Sequence, residues 1–410
     1  MTKNIQLLNE GYNQPKIFNG ADGQYLIKGN RKYLDMSFGA GTLLLGHQSK
    51  IFKKAIKNIT SKKLSLIAIP NNDAANYSAL LSKFFNNKSK FIFCNTGSEA
   101  ILKSIRIANA VSKKKVIVCV TGSWHGSVDR TLFTTNKSLK SMPISSGLTD
   151  YNKRNIKFIP YNDIKKSKKI LDKIKKNISC ILIEPIQSSL PQRNMENYLK
   201  FLEKYCKKNN IILIFDETIS GIRFNGSTVQ KIYNLKPDIS TFGKCFGGGL
   251  PIGIIAVKKN ILKKISKLKL KVFFGGTFSG NQISTYLGKT TLEYILKNRK
   301  KIFSDLEKKS SYLEENIKKY IHYNNIKANV FRYYSMFRIV FSKDIPKDRV
   351  ERDFLEKNKN KKIDQLRKFL FSKGIYYPSN GILFISTQTN YSDLKKLTKY
   401  INQALEKFFK

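Results

Sequence analysis

Between residues 90 and 258, short apolar runs recur, each followed by a polar turn or an amphipathic helical stretch: "KFIFC", "KVIVCV", "NIKFIP", "CILIEP", "IILIFDE", "DISTFGK" and "IGIIAV". They read as nearly continuous Val, Ile and Leu rather than as apolar–polar alternation. Strands of that kind are buried on both faces, so the pattern demands a mainly parallel sheet covered by helices. At 410 residues the chain is long enough for such a layer and a second, smaller lobe. After "GGTFSGN" a long helix is predicted, with Ile302, Leu306, Leu313, Ile317 and Ile321 along one side. "MFRIVFS" and "GILFIST" read as strands and "IDQLRKFLFSKG" as a helix ending at Gly374. A last helix is expected to start at Ser392, a good N-cap residue. The fold class is therefore α/β: a large domain over 51–290, a smaller α+β domain over 291–410, and an N-terminal segment, 1–50, packing with the smaller domain.

The formal net charge is +48. A basic balance permits nucleic-acid or anionic-membrane binding, but the lysines are spread along the whole length, with no Arg-rich arm and no aromatic-interleaved basic stripe. In "KKSKKILDKIKK" and the residue before it, Ile164, Leu171 and Ile174 fall at helical spacing, so the lysines form the wet face of an ordinary amphipathic helix. No specific nucleic-acid partner is expected. No apolar run approaches the ~20 residues that cross a bilayer, and "MTKNIQLLNEGYNQ" lacks the apolar core of a secretory signal. Cys94, Cys119, Cys180, Cys206 and Cys245 form no CxxC pair, and most sit inside apolar runs. The expectation is a cytoplasmic enzyme without a membrane partner or a metal site.

In open α/β sheets ligands collect at the carboxyl ends of the strands, so the residues just after each apolar run are informative. "FIFC" leads into "NTGSEA" and a helix with Ile101, Ile105 and Ala108 on one face. Gly97 lets the backbone come close, while Ser98 and the free N–H groups of the helix start form an anion cup. "VIVCV" leads into "TGSWHG", where Trp124, the single tryptophan, suits stacking on a flat ring or plugging a lobe interface. His125 beside it reads as a local hydrogen-bonding residue. Asp216 directly follows five apolar residues, which is costly unless a cation or a proton meets it. Glu184 repeats the theme in "ILIEP"; a structural salt bridge is the competing reading for both. Lys244 follows "DISTFG" and precedes a triple glycine. Among apolar neighbours its pKa is pulled down towards ~7–8, which makes the amine a usable nucleophile or base. An anion cup, a flat-ring stacker, a buried carboxylate and a desolvated lysine together describe an aromatic cation bearing a phosphate, and pyridoxal 5′-phosphate meets each requirement.

Taken in order, "YLDMSFGAGTLLLGH", "NTGSEA", "GSWHG", "IEPIQ", "FDETISGIRF", "PDISTFGKCFGGGLPIG", "GGTFSGN" and "SMFRIVF" resemble the class III pyridoxal-phosphate-dependent aminotransferases of fold type I. Within that class the likeness is greatest to glutamate-1-semialdehyde 2,1-aminomutase. The resemblance implies that Lys244 is the Schiff-base lysine, Asp216 the partner of the ring nitrogen and Trp124 the stacking aromatic. Gly97 and Ser98 become phosphate ligands, and Thr277 a phosphate ligand reaching in from the other subunit. Thr218 falls where a Val or Ile usually covers the opposite ring face. The resemblance also implies a homodimer with active sites at its interface. Departures concern the substrate. Where aminomutases have an arginine near the N-terminus, "NQPKIF" offers Lys16. Their C-terminal glutamate has no counterpart in "YPSNGILFIST", and Leu383 and Phe384 stand where ornithine- and GABA-type enzymes have an arginine. Position 219 is Ile rather than Gln or Met. Arg338 is a candidate anion ligand, with a sheet-surface salt bridge as the competing reading. The expected activity is transfer of an amino group from a small-molecule donor to a keto or aldehyde acceptor; the alternative is the aminomutase reaction of tetrapyrrole biosynthesis.

Overall fold

The computed structural model describes residues 16–86, 89–136 and 138–410. Seven strands form the central sheet: β1 (Ser89–Cys94), β2 (Val116–Val120), β3 (Ile156–Ile159), β4 (Ile178–Ile183), β5 (Ile212–Asp216), β6 (Ile239–Gly243) and β7 (Gly253–Lys258). Their order across the sheet is β1-β7-β6-β5-β4-β2-β3. The five from β6 to β3 pair in parallel, whereas β7 runs antiparallel to both its neighbours. The reversal comes from the connection: β6 reaches β7 through a short turn over 244–252, too short for a parallel crossover. β4, β5 and β6 are buried at every position, as their continuous apolar runs require. β1 lies at the sheet edge, and of its six residues only Cys94 is fully buried.

Helix α1 (Gly97–Ser112) returns from β1 and buries Ile101, Ile105 and Ala108. In the Ile164–Ile174 helix Leu171 and Ser167 face the core, and every lysine of 165–176 is exposed. Ile164, expected on the inner side, instead sits 40% exposed in the first turn, next to the Asp163 cap that sets the helix start.

The second lobe is built on a three-stranded antiparallel sheet of β8 (Asn329–Tyr333), β9 (Met336–Val340) and β10 (Ile382–Phe384). Helix α2 (Gln282–Lys297) packs on the large lobe, and after a break at Asn298 helix α3 (Arg299–Tyr323) packs on the small one, so residue 290 falls inside α2. Then come α4 (Arg349–Glu356), α5 (Asn360–Ser372) and α6 (Tyr391–Phe409). Ile302, Leu306, Leu313 and Ile317 of α3 share one core with Phe337, Ile339, Leu397 and Leu405. A meander over 20–35 extends through a parallel pairing of Arg31–Asp35 with Ile375–Tyr376, which ties the N-terminal segment to the C-terminal lobe. The start of α6 differs from expectation. Asn390 is its cap, accepting the Asp393 amide at 2.9 Å while Asp393 accepts the Asn390 amide at 3.1 Å. Ser392 instead donates its hydroxyl to Asn390 Oδ1 at 2.7 Å, because the reciprocal Asn–Asp capping box satisfies two backbone donors where a serine would satisfy one.

Candidate active site

Lys244, Asp216, Glu184, the Trp124–His125 pair and the Asn95–Ser98 turn lie at or just beyond the carboxyl ends of β6, β5, β4, β2 and β1, so the sheet delivers them all to one edge. Gly97, Ser98, Trp124, Asp216, Thr218 and Lys244 line a single cavity of about 430 Å³. A larger cavity of about 940 Å³ adjoins it, sharing Trp124, Ile219 and Lys244 and running beneath α4.

Asp216 ends β5 opposite Thr241 of β6. His125 Nδ1 donates to Asp216 Oδ2 at 2.9 Å, and Oδ1 accepts the Thr218 hydroxyl at 2.6 Å, the Thr218 amide at 3.1 Å and the Thr241 hydroxyl at 3.1 Å. Burial alone would push this carboxylate up, but the His125 and Thr218 hydrogen bonds outweigh it and hold the group below its ordinary value. Glu184 is shifted the other way, by burial first and then by the Asp216 charge. The ion pair considered for Glu184 is absent among the described residues; it accepts the Ser188 amide and hydroxyl at 3.1 and 3.0 Å and the Trp124 amide at 3.2 Å.

Lys244 occupies left-handed backbone space at φ 49°, which costs a non-glycine residue about 1 kcal/mol or more. Its Nζ donates to Ala40 O at 3.0 Å. Burial, with the Arg223 charge adding to it against the opposing carboxylates Glu184 and Asp216, lowers its pKa to about 8. The Phe38–Gly41 loop above it is left-handed at all four residues. Arg223 pins that loop: one guanidinium nitrogen donates to Gly41 O and the other reaches Ser335 Oγ at 3.0 Å. Opposite, the cup at the start of α1 depends on close backbone approach. A Cβ at Gly126 would collide with Ser98 Oγ, and one at Gly253 would collide with the Thr96 carbonyl. Thr96, Gly97 and Ser98 at the start of α1 line the cavity from there, with Ser98 Oγ accepting the Ser127 amide at 3.0 Å.

Trp124 is 46% exposed and forms a wall of both cavities, so it does not plug the gap between the lobes. Thr218 lies across the cup, with its methyl against Gly97. Lys16 does not line either cavity: its ammonium sits 4.0 Å from the centre of the Phe371 ring. Thr277 lies exposed on the loop before α2 and away from this chain's cavity. Arg338 is buried rather than on a sheet surface; it pairs with Glu356 at 2.9 Å and lines the larger cavity. Sequence reasoning missed Arg223, an arginine buried without a carboxylate partner among the described residues, whose Cζ lies 4.7 Å from the Phe384 ring centre. It also missed α4. The signal was present: Asp348 caps the helix and Glu351 stands three residues on, a cap pattern ahead of a basic–acidic helix.

The sequence profile of the family Aminotransferase class-III matches residues 7–363. The chain belongs to the class III aminotransferases. It is 31% identical over 392 residues to the glutamate-1-semialdehyde 2,1-aminomutase of Methanosphaera stadtmanae, covering 94% of this chain and 90% of that one. It is 32% identical over 406 residues to the enzyme of the same name from Wigglesworthia glossinidia brevipalpis, covering 96% and 91%. Among solved structures, an omega-transaminase from Sphaerobacter thermophilus superposes with a TM-score of 0.88 at 20% identity, covering 98% of this chain and 93% of that one. A glutamate-1-semialdehyde aminomutase from Pseudomonas aeruginosa PAO1 gives 0.85 at 17%, covering 96% and 88%. The fold is that of the fold type I transaminases, and this class III aminotransferase is a pyridoxal-phosphate-dependent enzyme. Its residues fit the group: an amine of lowered pKa, an ionised carboxylate, an indole wall and a glycine-lined helix start surround one cavity. His125 Nε2 is buried without a partner among the described residues, which leaves Nδ1 committed to Asp216.

Proposed function

We propose that the protein transfers an amino group from a small-molecule donor to a keto or aldehyde acceptor, with Lys244 as the residue that holds the cofactor and moves the proton. The observation that carries this reading is the desolvated Lys244 amine, its pKa lowered to about 8, in one cavity with ionised Asp216. Bound pyridoxal phosphate supplies an aldehyde that condenses with amines and a ring that accepts an electron pair from the substrate carbon. Asp216 holds positive charge at the ring nitrogen, and His125 and Thr218 keep Asp216 ionised for that task. Gly97, Ser98 and the α1 amides bind the phosphate, Trp124 and Thr218 bound the ring, and Arg223 fixes the loop over Lys244. Lys244 is neutral for an appreciable fraction of the time near neutral pH, so it can both take and return a proton.

Amino transfer ranks above the aminomutase reaction because Lys16 is engaged with Phe371 and the late strand carries Leu383 and Phe384. The extent of likeness to the named aminomutases favours the second reading. The two separate in one assay. Purified holoenzyme given glutamate 1-semialdehyde and no other amine forms 5-aminolevulinate at many turnovers per site if it is a mutase. As a transaminase it stalls until a donor and an acceptor are supplied, and efficient mutase turnover would reverse the ranking.

We also read the protein as a cytoplasmic homodimer. Its five cysteines are free, buried thiols, and no helix among the described residues is long and apolar enough to cross a membrane. Leu270, 87% exposed, and Phe273, 72% exposed, lie on the loop that carries Thr277. That loop runs beside 66–71, where Gln282 N donates to Leu66 O and Asn71 Nδ2 to Gly280 O, both at 3.0 Å. Exposed apolar side chains gathered this way mark an interface. The three-part division of the chain is likewise part of this reading, with the lobes parting at Asn298.

A further inference from the structure

The larger cavity is lined by six cationic side chains and three carboxylates, and Lys244 is the cation it shares with the smaller one. Four of the remaining five are arginines: Arg338, Arg349, Arg352 and Arg367. The composition makes this concentration informative, because the chain holds 64 lysines and only 12 arginines. A third of its arginines thus face one cavity. Arginine differs from lysine in its planar fork, which meets carboxylate and phosphate oxygens two at a time.

Local neutralisation is incomplete. Arg338 is 6% exposed and spends its terminal nitrogens on Glu356 and on Asn380 O, while its buried Nε has no partner among the described residues. Arg352 is 5% exposed and donates to Ser189 O at 2.6 Å and to Asp353. Burial, and then the Arg338 charge, lowers its pKa to about 10, the direction of a cation crowded by other cations. Arg349, one helical turn before Arg352, has a side chain 34% exposed, and among the described residues its one ion pair is a 3.4 Å contact to Asp353. The scaffold behind these groups is firm. Thr121 at the end of β2 donates to Asp348 at 2.6 Å, Gln192 donates to Lys347 O at 2.7 Å, and Glu356 ties α4 to Arg338 and to the Phe341 amide at 2.9 Å each. Helix α4 therefore holds its arginines in place over a cavity that reaches Lys244.

We propose that the substrate carries an oxyanion, a carboxylate or a phosphate, which docks on Arg338, Arg349 and Arg352 while its reacting carbon lies at Lys244. The inference rests on the reading of Lys244 as the reacting centre and names the chemistry at the other end. About 940 Å³ leaves room for a molecular scaffold between the two. Neutral amines and ketones lack the group that these arginines recognise.

Calorimetric titration of the cofactor-loaded protein tests this at equilibrium, with glutarate, inorganic phosphate and the neutral analogue glutaramide as probes, at about 0.15 M salt to screen the surface lysines. Glutarate or phosphate should bind and glutaramide should not; whichever anion binds more tightly identifies the oxyanion. Arg349→Gln, at a partly exposed and weakly paired position, should weaken that binding by about tenfold or more, and Arg352→Lys, which keeps the charge and removes the fork, by a smaller factor. Equal binding of anion and amide, or anion binding unchanged in both variants, overturns the proposal. Because no turnover is needed, a protein that binds the anion through Arg349 yet transfers no amine sinks the transaminase reading and leaves this one standing.

Discussion

A partly buried, desolvated lysine in left-handed backbone is a poor choice for stability, and Lys244 is one. Its folded-state pKa of about 8 lies below its ordinary 10.5, so between those values the unfolded chain binds the extra proton and stability rises with pH. Below about pH 8 the full cost applies, ~3 kcal/mol for a shift of that size. In the cofactor-free protein, Lys244→Met should therefore raise the unfolding free energy at pH 7 by a few kcal/mol, and the gain should shrink steadily towards pH 10.5. Urea unfolding of both proteins at pH 7 and pH 10 measures this; a gain that is the same at both values would show that the amine is not desolvated in the apoprotein. The two nearby carboxylates part in the opposite sense, Asp216 held down by His125 and Thr218, Glu184 raised by burial and by Asp216 itself. Replacing His125 with Phe should therefore raise the Asp216 pKa. The acid limb of the pH–activity profile should move up, and activity should fall by ~10²-fold or more as the ring nitrogen loses its charged partner. A shift confined to kcat without any movement of that limb would assign His125 a purely steric role. Asp216 was legible as an anomaly because a carboxylate after five apolar residues must find a partner. Its donor was not legible, since His125 stands 91 residues away and meets it only once the sheet brings β2 and β5 to the same edge.

At the scale of elements, the strands were readable because burial on both faces removes the need for polar alternation, and β4, β5 and β6 carry that signature undiluted. The direction of β7 was not readable: its sequence is as apolar as its parallel neighbours, and only the short turn holding Lys244 sets its reversal. Helix α4 is the more consequential omission. It is eight residues long and its buried positions are Arg352 and Glu356, so apolar periodicity, the usual guide to a helix, is nearly silent there. Its cap supplies the test. Asp348 accepts the Glu351 amide at 2.9 Å through one oxygen and the Thr121 hydroxyl at 2.6 Å through the other, joining helix start to sheet. Asp348→Ala should cost about 1 kcal/mol as a lost cap and free the α4 arginines from register with the cavity. KM for an acidic substrate should rise several-fold with kcat changed less. Thr121→Val, which spares the cap and removes the tie, should reproduce the KM effect, with a stability loss of its own because Thr121 Oγ1 also accepts the Tyr161 amide at 3.0 Å. A drop in kcat at constant KM would show that α4 does not position the substrate.

For the whole molecule, surface charge and surface greasiness tell different stories. The lysines of the Ile164–Ile174 region are all exposed, as the polar face of an amphipathic helix should be. Leu270, Phe273 and Phe278 are exposed as well, and their own chain leaves most of their surface uncovered. Thr277 sits among them rather than in its own cavity. Both facts make sense if a second copy of the chain covers the loop and receives Thr277 at the phosphate end of its site. Symmetry then makes a sharp demand: a twofold interface gives each site the lysine of one subunit and the threonine of the other. Lys244→Ala and Thr277→Arg should each be inactive as pure dimers. In a mixed dimer one site combines the intact Lys244 of the second variant with the intact Thr277 of the first, so random pairing should restore about a quarter of wild-type activity. Were Thr277 to serve its own subunit, no pairing would assemble an intact site and the mixture would stay silent. Co-expression of two differently tagged variants, tandem purification and a single donor–acceptor assay decide between these outcomes, and the purified mixed dimer alone should reach about half of wild-type activity per dimer.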